Sequence, residues 1–331
     1  MAFADTLIAW YEVHKRDLPW RGETDPYKIW VSEIILQQTR VQQGWEYYLR
    51  FINNFPDVKA LAESDEERVL KVWQGLGYYS RARNMHAAAR DIMTKHHGQF
   101  PQEYDKILAL KGIGKYTAAA IASIAFHLPY PAVDGNVIRV VSRLFGICDD
   151  VAQPATVKRI TEICNKHIDR EQPGVFNQAA MDFGAMQCTP KNPKCHECPF
   201  QLKCYAFDNQ LADTLPVKRK KAGQKHRYFH YIVYISDNKT IIHRRTDSDI
   251  WKNMYQFPLV ETNGDNGAFG VPDFRFREAL THQIIHADFH IKPVGTLPNP
   301  IDNQIVVSFS QLTDYPMPKI MTEFIEEVAK R

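Results

Sequence analysis

The sequence feature that most restricts the fold is a cluster of four cysteines, spaced Cys188-x6-Cys195-x2-Cys198-x5-Cys204. Only two other cysteines occur in 331 residues, which is too few for a disulfide scaffold. Four thiolates in one short loop can hold either a zinc ion or a [4Fe–4S] cluster. Zinc ligands usually form two close pairs, whereas here one close pair lies between two wider spacings. The spacing therefore favours a loop wrapped around the larger [4Fe–4S] cluster, with zinc as the alternative.

Length and composition indicate an ordinary globular protein. The chain is long enough for two domains, and 44% of its residues are hydrophobic and 24% charged. No stretch approaches the roughly 18 apolar residues of a membrane span, and the charged N-terminal segment is typical of an amphipathic helix rather than a signal peptide. We therefore expect a cytoplasmic protein. The net charge of +3 does not by itself indicate nucleic-acid binding.

The hydrophobic pattern divides the chain into a helical part and a mixed part. Helical spacing extends from Thr6 to about Asn209, with glycine and proline near the ends of individual segments. A basic stretch then leads to short β-branched and aromatic segments and a last helix, namely Tyr228–Ser236, Thr240–Arg244, Gln304–Ser310 and Met317–Lys330. We expect a helical domain at residues 1–206, a basic linker at 207–226 and an α+β domain at 227–331.

A glycine pair, Gly112-Ile113-Gly114, lies between two helical segments. Glycine permits a tight turn, whose amides, with those of the next helix, can then bind an anion. Ile113 is expected to anchor the turn in the core. A short G-x-G alone is most often an ordinary turn. The flanking Leu110 and Thr117-Ala118-Ala119 favour a helix-hairpin-helix, which contacts the DNA backbone irrespective of its sequence.

Several motifs, in order along the chain, resemble one family. They are Trp30-Val31-Ser32-Glu33-Ile34-Ile35-Leu36-Gln37-Gln38-Thr39, Gly75-Leu76-Gly77-Tyr78-Tyr79-Ser80-Arg81-Ala82-Arg83-Asn84, the glycine hairpin, Val133-Asp134-Gly135-Asn136-Val137, Phe176-Asn177-Gln178-Ala179 and the four cysteines. Together they resemble the MutY adenine DNA glycosylases of the helix-hairpin-helix superfamily. The resemblance is strong over residues 5–205 and weaker in the C-terminal part.

The resemblance implies a mainly α helix-hairpin-helix glycosylase domain, with a [4Fe–4S] cluster held by the four cysteines, and an α+β Nudix-like domain. It implies an enzyme of base excision repair that flips adenine, mispaired with 8-oxoguanine or guanine, out of duplex DNA and hydrolyses its N-glycosidic bond. A monomeric bacterial protein associated with the nucleoid is expected.

Two carboxylates match the chemistry of this reaction. The leaving base must be protonated by an acid, and a separate anion must lie near the sugar, because positive charge develops there. Glu33 lies in an apolar helical stretch that should raise its pKa, and the resemblance assigns it protonation of adenine N7. Asp134 precedes a helix whose positive end should keep it ionised. It would stabilise the sugar electrostatically or through a transient covalent adduct, supported by a hydrogen bond from Asn136.

Tyr116 separates two classes of glycosylase. In relatives similar to endonuclease III, a lysine occupies this position, forms a Schiff base and cleaves the strand. Tyrosine cannot form that adduct, and the adjacent Lys115 would point about 100° away around the helix. We therefore expect a monofunctional enzyme that leaves an abasic site.

The resemblance further assigns residues to a wedge that fills the gap left by the flipped base, to backbone contacts and to the adenine pocket. Arg139 and Arg143, on the helix after Asp134, could reach DNA phosphate or the cysteine loop, or form structural ion pairs. The matching positions are Tyr78 and Gln38 for the wedge, Gly112 and Gly114 for the backbone, Trp20, Arg21 and Gln178 for the pocket, and Thr39 for a further DNA contact.

The C-terminal part departs from the family pattern. Of a catalytic Nudix box only Arg277-Glu278 is present, so pyrophosphatase activity is not expected. The family reads 8-oxoguanine through a loop with the sequence Phe-Ser-His, and the matching segment is Ile284-Ile285-His286. We expect His286 to maintain a preference for 8-oxoguanine, with weaker discrimination against adenine opposite guanine.

Two alternative functions are compatible with parts of the sequence. One is an endonuclease III-like glycosylase/lyase, which Tyr116 and the second domain disfavour. The other is a non-catalytic iron–sulfur DNA-binding protein, which the presence of both Glu33 and Asp134 disfavours.

Overall fold

The computed structural model describes residues 3–219, 223–264 and 269–330. Contacts divide the chain into two compact units, Met1–Ala62 with Ala87–Lys220 and Glu63–His86 with Lys221–Arg331. The sequence-based division assigned residues 63–86 to the first domain, whereas their contacts group them with the second unit. Local periodicity does not report such long-range contacts. Lys220 and Lys221 of the expected linker lie outside the described residues.

The helical character expected for the first two-thirds of the chain is confirmed, with shifts of a few residues at the helix ends. Within the described residues, no helix is both long enough and apolar enough to cross a membrane. The helices in chain order are α1 Phe3–His14, α2 Pro26–Leu36, α3 Val41–Asn54, α4 Val58–Glu63, α5 Glu66–Trp73, α6 Ser80–Lys95, α7 Tyr104–Leu108, α8 Lys115–Phe126, α9 Gly135–Phe145, α10 Pro154–His167, α11 Pro173–Met186 and α12 Tyr205–Asp208.

The starts of three helices set the geometry of the first unit. The Asp25 carboxylate accepts a hydrogen bond from the Tyr27 amide, and Pro26 occupies the first turn of α2, as the sequence predicts. Helix α8 starts directly after Gly114, and α9 starts after Asp134. Helix α11 packs against α1, α8 and α9, while α2 packs against α3 and α8. This packing brings the beginnings of α8 and α9 close to the middle of α2.

The C-terminal segment of the second unit folds into two sheets and one helix around an aromatic core, and α5 and the start of α6 belong to the same unit. One sheet has the order β4-β1-β6-β5, in which β1 and β6 are parallel, and the other is the antiparallel sheet β3-β2-β7. Phe289 of β6 stacks on Phe324 of α13 with 4.1 Å between ring centroids. The elements are β1 Lys225–Ile235, β2 Lys239–Arg244, β3 Tyr255–Gln256, β4 Leu259–Thr262, β5 Phe274–Ala279, β6 Gln283–Pro293, β7 Gln304–Ser308 and α13 Lys319–Ala329.

The assignment of Ile284-Ile285-His286 to a loop is wrong, because the segment lies in β6. Ile284 and Ile285 are buried, and the strand is paired in register with β1, so that Tyr228 lies beside His286. The sequence resembled a loop motif at this point, but its two isoleucines suit a buried strand. The partner strand is far away in sequence, and the pairing is therefore invisible to local patterns.

Candidate active site

A cavity of about 550 Å³ opens in the first unit. Glu33 of α2, Tyr116 of α8 and Asp134 at the start of α9 all contribute to its wall. The structure thus brings together three candidate residues that the sequence places on separate helices. Arg16 and Met181, which sequence analysis did not identify, line the same cavity.

Glu33 is buried, with 8% of its surface exposed. The Tyr116 hydroxyl donates a hydrogen bond to Glu33 Oε2 at 2.6 Å. Burial raises the pKa of the Glu33 carboxyl, while the Tyr116 hydrogen bond and the charge of Arg21 lower it, and Asp134 raises it further. The net rise in the pKa of Glu33 agrees with the sequence-based expectation. The Glu33 carboxyl therefore keeps its proton to a higher pH than an ordinary glutamate does.

Tyr116 remains protonated, since burial and the nearby carboxylates raise the pKa of its phenol well above the usual value. Its hydroxyl also lies 3.1 Å from Met181 Sδ. The neighbouring Lys115 is exposed to solvent. Tyr116 therefore acts as a hydrogen-bond donor to Glu33.

Asp134 caps helix α9, and both of its carboxylate oxygens accept hydrogen bonds. Its Oδ1 accepts from the Val137 amide and its Oδ2 from Asn136 Nδ2, both at 2.8 Å. Burial raises the pKa of the Asp134 carboxyl, and these hydrogen bonds oppose the rise. The sequence-based expectation considered only the helix end and omitted this burial. The hydrogen bond expected from Asn136 is present.

Two buried arginines on α9 connect this region with the cysteine loop. Arg139 donates to Asn136 Oδ1 at 2.9 Å and to the Cys188 carbonyl oxygen at 2.8 Å. Arg143 donates to the Thr189 carbonyl oxygen at 2.7 Å and lies 3.3 Å from Cys188 Sγ. Of the roles left open for these arginines, the structure shows contact with the cysteine loop.

The cysteine loop presents all four thiols to one cavity, and none of them forms a disulfide. A [4Fe–4S] cluster takes four cysteine thiolates as ligands, so this donor set fits the cluster. In the described part of the chain, no three His, Cys, Asp or Glu side chains are grouped closely enough to hold a single metal ion. The cluster would be held by Cys188, Cys195, Cys198 and Cys204.

The other pocket residues named from the sequence fall into two groups. Trp20, Arg21, Gln38 and Thr39 line the cavity of Glu33, with Gln38 exposed and at a φ of 61°. Gln178 is not among the lining residues, and its Oε1 accepts a hydrogen bond from the Tyr11 hydroxyl at 2.9 Å.

Two buried polar residues that support the site were missed. Asp182 has no exposed surface, and its Oδ1 accepts from both Arg16 and Arg21. Asn177 accepts from the Ala132 amide at 3.0 Å and donates to the Tyr130 carbonyl oxygen at 2.8 Å, which fixes the segment before Asp134. An amide inside the Phe176–Ala179 motif was a signal for Asn177. No local pattern pointed to Asp182.

The glycine hairpin has the geometry expected of it. Gly112 has a φ of 81°, which favours glycine, and Ile113 is buried. Gly114 immediately precedes α8, and a Cβ atom built there would meet no atom within 4 Å. The start of α8 is therefore open to a close approach by an anion.

Tyr78 and His286 belong to the second unit. Tyr78 is 47% exposed with a φ of 49°. His286 stacks on Tyr228 with 4.7 Å between ring centroids, and its Nε2 lies 2.9 Å from His226 Nδ1. One nitrogen of His286 is therefore engaged within the protein.

Comparison with known proteins identifies two matching sequence families. The family described as "HhH-GPD superfamily base excision DNA repair protein" matches residues 31–180. The family described as the iron–sulfur binding domain of endonuclease III matches residues 188–201. The second match includes three of the four cysteines, and Cys204 lies just beyond it.

Individual relatives extend over more of the chain. An adenine DNA glycosylase of Buchnera aphidicola subsp. Schizaphis graminum is 35% identical over 261 residues, covering 78% of this chain and 75% of that protein. One of Buchnera aphidicola subsp. Acyrthosiphon pisum is 36% identical over 300 residues, covering 88% and 85%. The solved structure of a thermostable thymine-DNA glycosylase is 28% identical with a TM-score of 0.57, covering 62% of this chain and 95% of that one. The chain belongs to the adenine DNA glycosylase family of helix-hairpin-helix base excision repair proteins and carries a [4Fe–4S]-binding loop.

Proposed function

We propose that this protein is a monofunctional glycosylase that removes adenine opposite 8-oxoguanine or guanine from duplex DNA. The observation that carries the proposal is the placement of Glu33, Tyr116 and Asp134 on the wall of one cavity. The protein acts as a monomer, and its substrate places it at the nucleoid of a bacterial cell.

Glu33 serves as the general acid. A carboxyl with a raised pKa keeps its proton to a higher pH than an ordinary glutamate and can deliver it to N7 of a flipped adenine. Tyr116 fixes the orientation of this carboxyl by donating to Oε2. Protonation makes adenine a better leaving group, so the bond between N9 and the sugar C1′ breaks with the electron pair going to the base.

Asp134 stabilises the positive charge that then develops on the sugar. Asn136 and the Val137 amide hold its carboxylate in one orientation, so no reorganisation is needed as the charge appears. Water then adds its oxygen to C1′ and gives its proton to the Glu33 carboxylate. This restores the protonated Glu33 carboxyl for the next turnover. The product is an abasic site.

The absence of a lysine at position 116 accounts for monofunctional chemistry. A Schiff base with C1′ needs an amine, and Tyr116 offers only a phenol with a raised pKa. The DNA strand therefore stays intact after the base is released.

DNA is held by several small contacts rather than by a broad basic surface. The open start of α8 at Gly114 accepts a backbone phosphate, and Gln38 enters the gap left by the flipped base. The [4Fe–4S] cluster would join the four cysteines and so fix the loop whose carbonyl groups Arg139 and Arg143 contact.

A single-turnover assay tests this proposal on duplexes that carry adenine opposite 8-oxoguanine, adenine opposite guanine, or thymine glycol. We expect release of adenine from the first two, no release of thymine glycol and no covalent product after borohydride treatment. Failure to release adenine from either adenine duplex contradicts the proposal. Borohydride trapping would instead indicate the glycosylase/lyase alternative.

A further inference from the structure

We propose that Asp182 is a positioning residue for this reaction, whose buried carboxylate holds Arg16 and Arg21 in the wall of the Glu33 cavity and balances their charge. The inference rests on the proposed function and deepens it, because it concerns the same site. Asp182 does not line the cavity itself and acts through the two arginines, which do.

The Asp182 carboxylate on α11 is fully buried and shared by two arginines. Its Oδ1 accepts hydrogen bonds from Arg21 Nη2 at 2.7 Å and from Arg16 Nη2 at 2.5 Å. Among the described residues, no hydrogen bond reaches its other oxygen, Oδ2. A buried carboxylate needs a countercharge, and the two arginines provide it. We call these three side chains the Asp182 triad.

The triad fixes a segment that would otherwise have only local contacts. Arg16 and Arg21 lie between α1 and α2, whereas Asp182 follows more than 160 residues later. Tyr11 of α1 also faces the triad, with the Arg21 guanidinium 5.8 Å from the centre of its ring. A long arginine side chain has many rotamers when nothing binds it. The ion pairs to a carboxylate on a packed helix therefore give both guanidinium groups one position in the cavity wall.

The charge of Asp182 makes the cavity neutral before the reaction starts. The charged side chains of the cavity wall are Arg16, Arg21, Glu33 and Asp134. With Glu33 protonated, two positive charges and one negative charge remain on this wall, and Asp182 supplies the second negative charge. Neutrality matters because positive charge develops on the base and the sugar in the transition state, and an unbalanced arginine would oppose it.

Arg21 connects the triad to the acid. Burial raises the pKa of Glu33, Tyr116 of α8 and the charge of Arg21 lower it, and Asp134 at the start of α9 raises it further. The Asp182 carboxylate offsets the charge of Arg21, so its removal should strengthen the effect of Arg21 and lower the pKa of Glu33. The alkaline side of the pH–rate profile therefore reports the charge of Asp182.

The first test is Asp182→Asn, which keeps the shape of the side chain and removes its charge. We expect single-turnover release of adenine opposite 8-oxoguanine to be about tenfold slower, less than the roughly hundredfold loss for a group that touches the reacting atoms. The alkaline side of the profile should move to lower pH by about half a unit or more. The dissociation constant for DNA should stay near the wild-type value, which also shows that the variant is folded.

The second test compares Arg21→Met with the double variant Arg21→Met/Asp182→Asn. Arg21→Met removes one positive charge and should move the alkaline side to higher pH. The double variant removes one charge of each sign, so its alkaline side should return towards the wild-type position. This comparison measures the charge of Asp182 even where Asp182→Asn alone does not fold.

Asp249→Asn is the matched control, because Asp249 of the second unit also accepts hydrogen bonds from two arginines, Arg227 and Arg245. Its rate and its pH–rate profile should equal those of the wild type. An unmoved alkaline side in Asp182→Asn, or identical profiles of Arg21→Met with and without Asp182→Asn, overturns the role of Asp182 and leaves the proposed function intact. A wild-type protein that releases no adenine overturns the proposed function itself.

Discussion

The Tyr116 hydroxyl donates a hydrogen bond of 2.6 Å to Glu33 Oε2, inside a cavity where burial raises the pKa of that carboxyl. The two effects on Glu33 oppose each other, because burial favours the neutral acid and the hydrogen bond favours the carboxylate. Tyr116 therefore both orients the acid and limits the rise of its pKa. This relationship predicts how the reaction responds to pH.

Tyr116→Phe should move the alkaline side of the pH–rate profile to higher pH. The reaction needs protonated Glu33, so its rate falls as pH rises through the pKa of Glu33, and loss of the hydrogen bond raises that pKa. The acid side, where Asp134 becomes protonated, should move much less. Single-turnover rates at closely spaced pH values measure both sides. An alkaline side that stays in place or moves to lower pH contradicts the assigned contact.

Glu33→Gln should stabilise the fold increasingly as pH rises. The pKa of Glu33 is higher in the folded than in the unfolded chain, so the stabilising contribution of this residue is present below the unfolded value and is lost as pH rises through the folded value. Glutamine has no proton to lose. Each tenfold difference in proton affinity corresponds to about 1.4 kcal/mol. Thermal unfolding at pH 5 and pH 8 should show a larger gain in Tm at the higher pH, and an equal gain at both would count against a raised pKa.

Gly184→Ala should slow catalysis while DNA binding persists. A Cβ atom at Gly184 would lie 2.7 Å from Asn136 Cβ and 3.0 Å from its carbonyl oxygen, so Asn136 must move and its hydrogen bond to Asp134 is disturbed. Overpacking of this kind typically costs about 1–3 kcal/mol. We expect a single-turnover rate about tenfold lower, equivalent to about 1.4 kcal/mol.

Gly295→Ala is the matched control, because a Cβ atom there meets no atom within 4 Å. Its rate and its melting temperature should equal those of the wild type. Equal rates in Gly184→Ala and Gly295→Ala would show that the contact between α11 and α9 does not set the position of Asp134.

Arg143→Met should impair retention of the iron–sulfur cluster. The Arg143 guanidinium donates to the carbonyl oxygens of Thr189 and Leu215 and is itself buried, so its loss leaves those acceptors unsatisfied. We expect iron content and visible absorbance several times lower than in wild type. Arg159→Met is the control, since the ion pair of Arg159 with Asp149 is exposed and worth about 0–1 kcal/mol. Full iron content in Arg143→Met would contradict this role of Arg143.

Features of the fold that depend on neighbouring residues could be predicted from the sequence. Asp25 and Pro26 marked the start of α2, and the apolar residues around Glu33 indicated the burial that raises its pKa. The G-x-G pattern likewise predicted the turn before α8 and the buried Ile113. In each case the physical cause lies within one turn of helix or one hairpin.

Features that depend on distant segments could not be predicted. The pairing of β6 with β1 converts an expected loop at Ile284 and Ile285 into a buried strand. The burial of Asp134 and the two ion pairs of Asp182 arise from helix packing, which leaves no periodic signal. The same holds for residues 63–86, whose contacts lie with a segment more than a hundred residues later.

The most direct test of the account is the single-turnover release of adenine opposite 8-oxoguanine by Glu33→Gln, with DNA affinity measured in parallel. General acid catalysis contributes about 10²–10⁴-fold to a rate, so we expect at least a hundredfold loss while the dissociation constant for DNA stays near the wild-type value. A rate within about tenfold of the wild type would show that Glu33 is not the acid, and the central claim would be wrong.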